Sequence, residues 1–199
     1  MARVNTPDFW EDLYARGGDG WELGRPAPPL ADVLETTPPP RGRVAVPGCG
    51  RGHDARLLAA QGYEVTGFDF APAALAAARA LAERERVAVT FESRDVFALG
   101  RELPHAFDGV WEYTCFCAID PARRAEYVDV LRAILKRGAT LLACFYPLRN
   151  GDDGPPFPVS RAEVERLLAP HFAILESAAP AVSIERRRGL EWLIWATRL

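Results

Sequence analysis

The sequence predicts an α/β protein in which helices cover both faces of a mostly parallel sheet. A short apolar run at residues 44–47 precedes glycines at positions 48, 50 and 52, and a helical pattern follows at once. Strand, glycine turn and helix together form the opening of a nucleotide-binding βαβ unit. The next apolar run ends at Asp69, about 20 residues further on, the spacing at which an acid reaches the ribose of a bound nucleoside. The expected fold is therefore Rossmann-like.

The elements before and after this unit follow from hydrophobic periodicity. Residues 8–16 and 28–37 have helical spacing, with Pro7 after the potential cap Thr6, and a glycine-rich turn at 17–20 follows the first helix. We expect further helices at residues 55–60, 72–84, 120–138 and from 160 onward. We expect strands at residues 44–47, 63–70, 87–92, 107–113 (running on to 119), 140–146, 172–176 and 190–197. The last two have no helix between them and should pair antiparallel at one edge, which gives seven strands in all.

Length and composition indicate one ordinary globular domain. The chain has 199 residues, of which 49% are hydrophobic and 26% charged, with a net charge of −3. We divide it into an amino-terminal helical lid, residues 1–40, and a Rossmann-like core, residues 41–199, although a helix packed on the sheet is the alternative to a lid. The charge disfavours a nucleic-acid partner. Since neither a membrane-spanning run nor an apolar signal segment is present, we expect a cytoplasmic protein without a membrane partner.

The cysteines do not indicate a metal site. Cys49, Cys115, Cys117 and Cys144 lie in apolar stretches and are interpreted as reduced core residues. Cys115 and Cys117 would share one face of a strand, but no second Cys or His pair at ligand spacing completes a tetrahedral site. We therefore expect no metal, and no oligomeric state is assigned.

The glycine pattern discriminates between nucleotide ligands. A dinucleotide fingerprint, G-x-G-x-x-G, requires glycine at position 53, where this chain has His53. Glycines at 48, 50 and 52 instead fit the tighter G-x-G-x-G turn of S-adenosylmethionine-dependent methyltransferases, which have no pyrophosphate to bind. A turn that only connects strand to helix is the alternative, and Asp69 argues against it.

Several motifs together carry a resemblance to a known family: the loop Val46-Pro47-Gly48-Cys49-Gly50 with Asp69, the triplets Asp95-Val96-Phe97 and Cys117-Ala118-Ile119, the strand at 107–113, Trp10, the Trp21 loop with Gly24-Arg25-Pro26, and the prolines of residues 155–158. With these motifs, nearly the whole chain resembles the thiopurine S-methyltransferase superfamily, and most closely its halide/thiol methyltransferase branch. The resemblance implies a class I methyltransferase that uses S-adenosylmethionine and releases S-adenosylhomocysteine.

The resemblance also implies roles for individual residues. Aromatic faces in the lid could hold the sulfonium or ammonium group of the cofactor, since Val46 and Pro47 replace the acid that usually precedes the first glycine. Asp69 would bind the ribose hydroxyls and Asp95 would flank adenine, with a strand-end cap as the alternative for Asp95. The implied cofactor-binding residues are Trp10, Tyr14, Trp21, Arg25, Gly48, Cys49, Gly50, Asp69, Phe70, Asp95, Val96, Phe97 and Tyr113. The branch often has tryptophan in place of Tyr14.

The activity implied by the resemblance is methyl transfer to a small soft nucleophile: a thiol, thiopurine, halide or chalcogen oxyanion. An acceptor that arrives ionised needs no general base, and His53, His105 and His171 are scattered, so we expect no dedicated acid–base residue. Tyr113 is the candidate for acceptor positioning, with ordinary core as its alternative. Arg25 and residues 186–188 are candidates for positive potential, most of them expected on the surface. The alternative functions are a small-molecule O- or N-methyltransferase with a base near the acceptor and a non-catalytic S-adenosylmethionine-binding protein.

Overall fold

The computed structural model describes residues 3–17, 20–151 and 153–199. Within them, the strands are β1 (Arg43–Pro47), β2 (Glu64–Asp69), β3 (Thr90–Ser93), β4 (Phe107–Tyr113), β5 (Leu135–Phe145), β6 (Phe172–Ala178) and β7 (Trp192–Arg198). They form one seven-stranded sheet in the order β3-β2-β1-β4-β5-β7-β6. The pairs that involve β7 are antiparallel and the other pairs are parallel. The predicted sheet with its carboxyl-terminal antiparallel hairpin is therefore confirmed.

The helices are α1 (Pro7–Ala15), α2 (Pro28–Thr36), α3 (His53–Ala60), α4 (Pro72–Glu85), α5 (Leu99–Glu102), α6 (Arg124–Ile134) and α7 (Arg161–Leu168). Proline lies in the first turn of α1, α2 and α4, where its missing N–H costs no hydrogen bond. Ser160 caps α7, because its hydroxyl accepts from Glu163 N at 3.2 Å. Thr6 occupies the cap position of α1 without a side-chain cap hydrogen bond. The predicted turn at 17–20 includes residues 18 and 19, which lie outside the described residues.

Two hydrophobic layers cover the sheet, one on each face. Successive residues of β5 point to opposite faces, so that Leu141 and Ala143 pack against α6 and α7 while Leu142 and Cys144 pack towards α2, α3 and α4. These four residues of β5 are at most 3% exposed. A strand buried on both faces is expected near the middle of a parallel sheet. The described residues include no helix long and apolar enough to cross a bilayer.

Two predicted boundaries are wrong, each for a different reason. The helix predicted to reach residue 138 ends at Ile134, since Leu135 pairs with Phe107 of β4 and begins β5. The strand predicted to run from 113 to 119 stops at Tyr113, because Thr114 takes a positive φ of 65° and turns the chain. Strand β3 also begins later than predicted, at Thr90.

The turn after β4 depends on a buried carboxyl group. Glu112 is 0% exposed, and its Oε1 accepts from Phe116 N at 2.6 Å. Its Oε2 is buried with no hydrogen-bond partner among the described residues. Burial raises the pKa of Glu112 from 4.5 to about 7, against the opposing effects of the Phe116 and Cys115 N–H groups and of Arg124.

This raised pKa predicts a pH-dependent stability. The unfolded chain ionises Glu112 near pH 4.5 and the folded chain near pH 7, so the folded state loses stability as the pH rises between these values. Relative to Glu112→Gln, the unfolding free energy of the unaltered protein should fall by about 3 kcal/mol across this range. Urea unfolding of both proteins at a series of pH values measures the two unfolding free energies. Curves for the two proteins that stay parallel would contradict the assignment.

Candidate active site

A cavity of about 180 Å³ lies between the amino-terminal segment and the edge where β1, β2 and β4 end. In open α/β sheets, ligands bind at this carboxyl edge. The structure brings all the sequence-predicted cofactor residues to the lining of this cavity: Trp10, Tyr14, Trp21, Arg25, Gly48, Cys49, Gly50, Asp69, Phe70, Asp95, Val96, Phe97 and Tyr113. Their individual roles stay predictions.

The glycine loop after β1 is held against Asp69. Asp69 Oδ2 accepts from Gly50 N at 2.8 Å, and Oδ1 accepts from Ala71 N at 2.9 Å. Burial raises the pKa of Asp69, and these N–H groups oppose the shift. Gly48 and Gly50 have φ of 60° and 51°, and a Cβ would lie 2.8 Å from Cys115 Sγ at Gly48 and 3.1 Å from Tyr14 Oη at Gly50. The glycines thus keep the loop backbone in close contact with the cavity walls.

The amino-terminal segment contributes an aromatic wall. The Trp21 ring packs edge-on against Trp10 and Tyr14, with centroids 5.5 and 5.6 Å apart. Trp10 Nε1 donates to Val4 O at 2.9 Å, which fixes the indole. Burial raises the pKa of Tyr14 far above its ordinary range, so its hydroxyl stays protonated. Arg25, in contrast, lies exposed at the rim.

A hydrogen-bonded cluster of Glu22, Arg51 and His53, here called the loop clasp, joins residues 21–25 to the start of α3. Glu22 contacts His53 Nε2 at 2.9 Å and Arg51 Nη1 at 3.3 Å. His53 Nδ1 faces the Arg56 guanidinium, which can only donate, so the proton of a neutral imidazole is on Nε2 and points to Glu22. Burial alone would raise the pKa of Glu22, but hydrogen bonds from His53 and Gly24 N and the charge of Arg51 hold it at about 2.

At the β3 end of the cavity, Asp95 acts as a cap. Its Oδ1 accepts from Phe97 N at 2.9 Å at the start of a short 3-10 turn. Asp95 is therefore a strand-end cap, which was the alternative to a role beside adenine. Asp95 lines the cavity as well, so capping leaves its second oxygen available to a ligand. The Arg123 guanidinium lies 3.4 Å from the centroid of the Phe97 ring and also pairs with Glu126.

At the β4 end, Asp54 and Trp111 support the Tyr113 ring. Asp54 accepts from Ala27 N and from Trp111 Nε1, both at 2.7 Å. Burial raises the pKa of Asp54, and these two donors oppose the shift. The Trp111 ring stacks on Tyr113, with centroids 5.8 Å apart and an interplanar angle of 27°. Asp54 of α3 therefore fixes the orientation of the Tyr113 ring through Trp111.

The Tyr113 hydroxyl belongs to a polar network that contains Arg187, one of the predicted candidates for positive potential, together with Ser183 and Glu191, which sequence reasoning missed. It donates to Glu191 Oε1 at 2.6 Å and accepts from Arg187 Nη1. Glu191 Oε2 accepts from the Ser183 hydroxyl, and Arg187 Nη2 donates to Trp21 O at 2.8 Å. Arg187 and Glu191 are each 1% exposed. The signal for Glu191 was its position among apolar residues in the predicted strand at 190–197, since a buried carboxylate needs partners.

Known structures agree with this architecture. The chain superposes on the structure reported for the conversion of a disulfide bond into a thioacetal group during echinomycin biosynthesis, with a TM-score of 0.79, 24% identity and coverage of 96% and 92% of the two chains. The structure of the 1,6-didemethyltoxoflavin-N1-methyltransferase of Burkholderia thailandensis has a TM-score of 0.74 and 23% identity, with coverage of 96% of this chain and 86% of that one. The strand order, the glycine turn and the acid at the end of β2 are those of the class I methyltransferase fold.

Sequence comparison then identifies the family. The family model for thiopurine S-methyltransferase matches residues 5–195. Probable thiol methyltransferase 2 of Arabidopsis thaliana is 32% identical over 192 residues, which cover 95% of this chain and 84% of the relative. Thiocyanate methyltransferase 1 of Brassica oleracea is 32% identical, with coverage of 92% and 82%. Thiopurine S-methyltransferase of Shewanella amazonensis is 30% identical, with coverage of 94% of both.

The chain therefore belongs to the thiopurine S-methyltransferase family, and the predicted resemblance is confirmed. It is an S-adenosylmethionine-dependent methyltransferase. The cavity fits this cofactor in its chemistry: it offers a glycine loop whose backbone lines the wall, a buried carboxylate with lone pairs for a diol, and aromatic faces suited to a cation.

The loop clasp predicts how firmly the amino-terminal loop is held. Glu22→Ala removes charge-assisted hydrogen bonds at a side chain that is 17% exposed, worth about 1–2 kcal/mol. Hydrogen exchange at the amides of residues 21–25 should become about tenfold faster or more. Glu35→Gln, an exposed position on α2, serves as control. Unchanged exchange in Glu22→Ala would mean that the clasp does not hold the loop.

Proposed function

We propose that the protein methylates a small soft nucleophile, a thiol or a thiocyanate- or halide-like anion, at the β4 end of the cavity. The observation that carries the proposal is the aromatic enclosure of that end by Trp21, Tyr113 and Tyr146, beside the thiol side chains of Cys115 and Cys117. Such walls are apolar and polarizable, and they match a small polarizable acceptor better than a large polar one. The names of the thiol and thiocyanate methyltransferase relatives agree with this acceptor class.

In the proposed complex, residues of this chain contact three parts of the cofactor: the ribose, the adenine and the methionine portion with its sulfonium. Asp69 accepts from the ribose hydroxyls, and Asp95 accepts from the exocyclic amine of adenine. Trp10, Tyr14 and Trp21 face the sulfonium or the methionine ammonium. When bound, S-adenosylmethionine supplies a methyl group on a positively charged sulfur, which leaves as a neutral thioether. The chain's contribution is to position the acceptor in line and to exclude water, and the amino-terminal segment, which we propose acts as a lid, serves the second purpose.

One observation favours a second candidate, O- or N-methyl transfer. Glu191, a carboxylate, lies one hydrogen bond behind Tyr113, and an alcohol or amine acceptor requires proton removal. The two candidates differ in the nucleophilic atom, so a set of acceptors that share one ring and differ only in that atom separates them.

The acceptor class is tested with benzenethiol, phenol and aniline, together with iodide and thiocyanate. Each is mixed with protein and S-adenosylmethionine, and S-adenosylhomocysteine and the methylated product are measured by mass spectrometry, with protein-free mixtures as controls. We expect methylation of benzenethiol and of both anions and little or none of phenol and aniline. Preferred methylation of phenol or aniline would contradict the proposal and establish the second candidate.

The role of Asp69 is tested by binding. Asp69→Ala removes the proposed acceptor for the ribose hydroxyls and should weaken S-adenosylhomocysteine binding by about 1–3 kcal/mol, because the diol loses charge-assisted partners. Titration calorimetry measures the affinity, with Glu64→Gln, an exposed residue at the start of β2, as control. Because Asp69 also holds the glycine loop, thermal unfolding accompanies each titration. Undiminished affinity in a folded variant would show that Asp69 does not contact the ligand.

A further inference from the structure

The hydrogen-bond directions around Tyr113 are fixed by the chemistry of its partners. A guanidinium only donates and an ionised carboxylate only accepts. Arg187 therefore donates to Tyr113 Oη, and the single Tyr113 proton points to Glu191 Oε1 at 2.6 Å. Burial raises the pKa of Tyr113 far above its ordinary range, so the phenol carries this proton.

The Tyr113 oxygen consequently has one lone pair left for a ligand. A hydroxyl oxygen has two lone pairs, and Arg187 occupies one of them. Among the described residues, Tyr113 lines the cavity whereas Arg187 and Glu191 do not. An acceptor that brings its own proton, such as a neutral thiol, matches the remaining lone pair, while an anion would have to take the proton away from Glu191.

We propose that Tyr113 and Glu191 form a proton relay for acceptors that bind as neutral thiols, an inference that rests on the proposed methyl transfer. The acceptor S–H proton passes to Tyr113 Oη while the Tyr113 proton passes to Glu191 Oε1. The acceptor sulfur forms the new bond to the methyl carbon, and the electron pair of the broken carbon–sulfur bond stays with the departing sulfur. After the product leaves, the proton on Glu191 returns through Tyr113 to solvent.

The surroundings of Glu191 suit a proton acceptor. Both of its oxygens accept from neutral hydroxyls, those of Tyr113 and Ser183. Arg187 donates to the phenol oxygen and so stabilises the negative charge that develops on this oxygen during proton transfer. The Cys144 thiol also faces Glu191, but burial and, next, the Glu191 charge raise its pKa, so Cys144 stays protonated and does not compete.

The test compares two acceptors that differ in whether a proton must be removed. 2-Mercaptoethanol is a largely neutral thiol at neutral pH, and iodide has no proton. In Glu191→Gln and in Tyr113→Phe, the ratio of kcat for 2-mercaptoethanol to kcat for iodide should fall by about 100-fold. The control is Glu185→Gln, an exposed carboxylate in the same segment that pairs with Arg188 at 3.1 Å, and its ratio should equal that of the unaltered protein.

A structural role for these residues gives a different result. Equal losses with both acceptors leave the ratio unchanged and overturn the relay alone. Absence of methyl transfer to either acceptor by the unaltered protein removes the proposed function and the relay with it. Should Glu191→Gln fail to fold in thermal unfolding, Tyr113→Phe still decides, because it keeps Glu191, Arg187 and the Trp21 contact in place.

A second readout needs no turnover. In the cofactor-free protein labelled with carboxyl-¹³C glutamate, the resonance that disappears in Glu191→Gln belongs to Glu191. Its chemical shift at the assay pH should be that of an ionised carboxylate, since only that form can take up a proton. The shift of a protonated carboxyl group would overturn the relay.

Discussion

A guanidinium withdrawn from water must find partners for its charge and its N–H groups, and this constraint organises the β4 end of the cavity. Arg187 satisfies this requirement by donating hydrogen bonds to Tyr113 Oη and Trp21 O. Its guanidinium carbon also lies 5.1 and 4.7 Å from the ring centroids of Tyr113 and Tyr146. These partners come from β4, from the amino-terminal segment and from the end of β5. One side chain from the segment before β7 therefore connects three separate parts of the chain, and the β4 end of the cavity is complete only when all three are folded.

Two carboxyl groups, those of half-buried Asp54 and buried Glu191, belong to the same region, and neither forms an ion pair with Arg187 in the network described. Asp54 accepts from an amide and an indole N–H, and Glu191 accepts from two hydroxyls. Neutral donors fix the orientation of a carboxyl group through hydrogen bonds and not through an ion pair, so both groups set the geometry of their partners. Asp54 fixes the indole of Trp111, which stacks on one face of Tyr113, while Arg187 lies near the same ring. The phenol is thus held from the sheet, from α3 and from the carboxyl-terminal hairpin.

The parts of the fold that could be predicted from sequence are those with local causes. The glycine loop and the position of Asp69 at the end of β2 follow from apolar periods and turn residues within one βαβ unit. The end of α6 could not be predicted, because Leu135 continues the helical period and only its pairing with distant Phe107 makes it a strand. The three consecutive arginines at 186–188 cannot be told apart from their local sequence. Only the folded structure shows that the middle one, Arg187, is buried. His53 begins α3 and also contacts Glu22 of the distant amino-terminal loop, a contact for which the sequence offers no local signal.

The same nonlocal contacts link the amino-terminal loop to the β4 end of the cavity. The Trp21 ring packs with Trp10 and Tyr14 at the cavity wall, and its carbonyl accepts from Arg187, which contacts Tyr113. Displacement of the loop would leave Arg187 Nη2 buried without this acceptor, which costs about 1–3 kcal/mol or more for a charged donor. Loss of that contact would also free the guanidinium to move away from the Tyr113 hydroxyl. The position of the Trp21 loop and the orientation of Tyr113 therefore depend on one residue, Arg187, and neither is expected to persist when the other is lost.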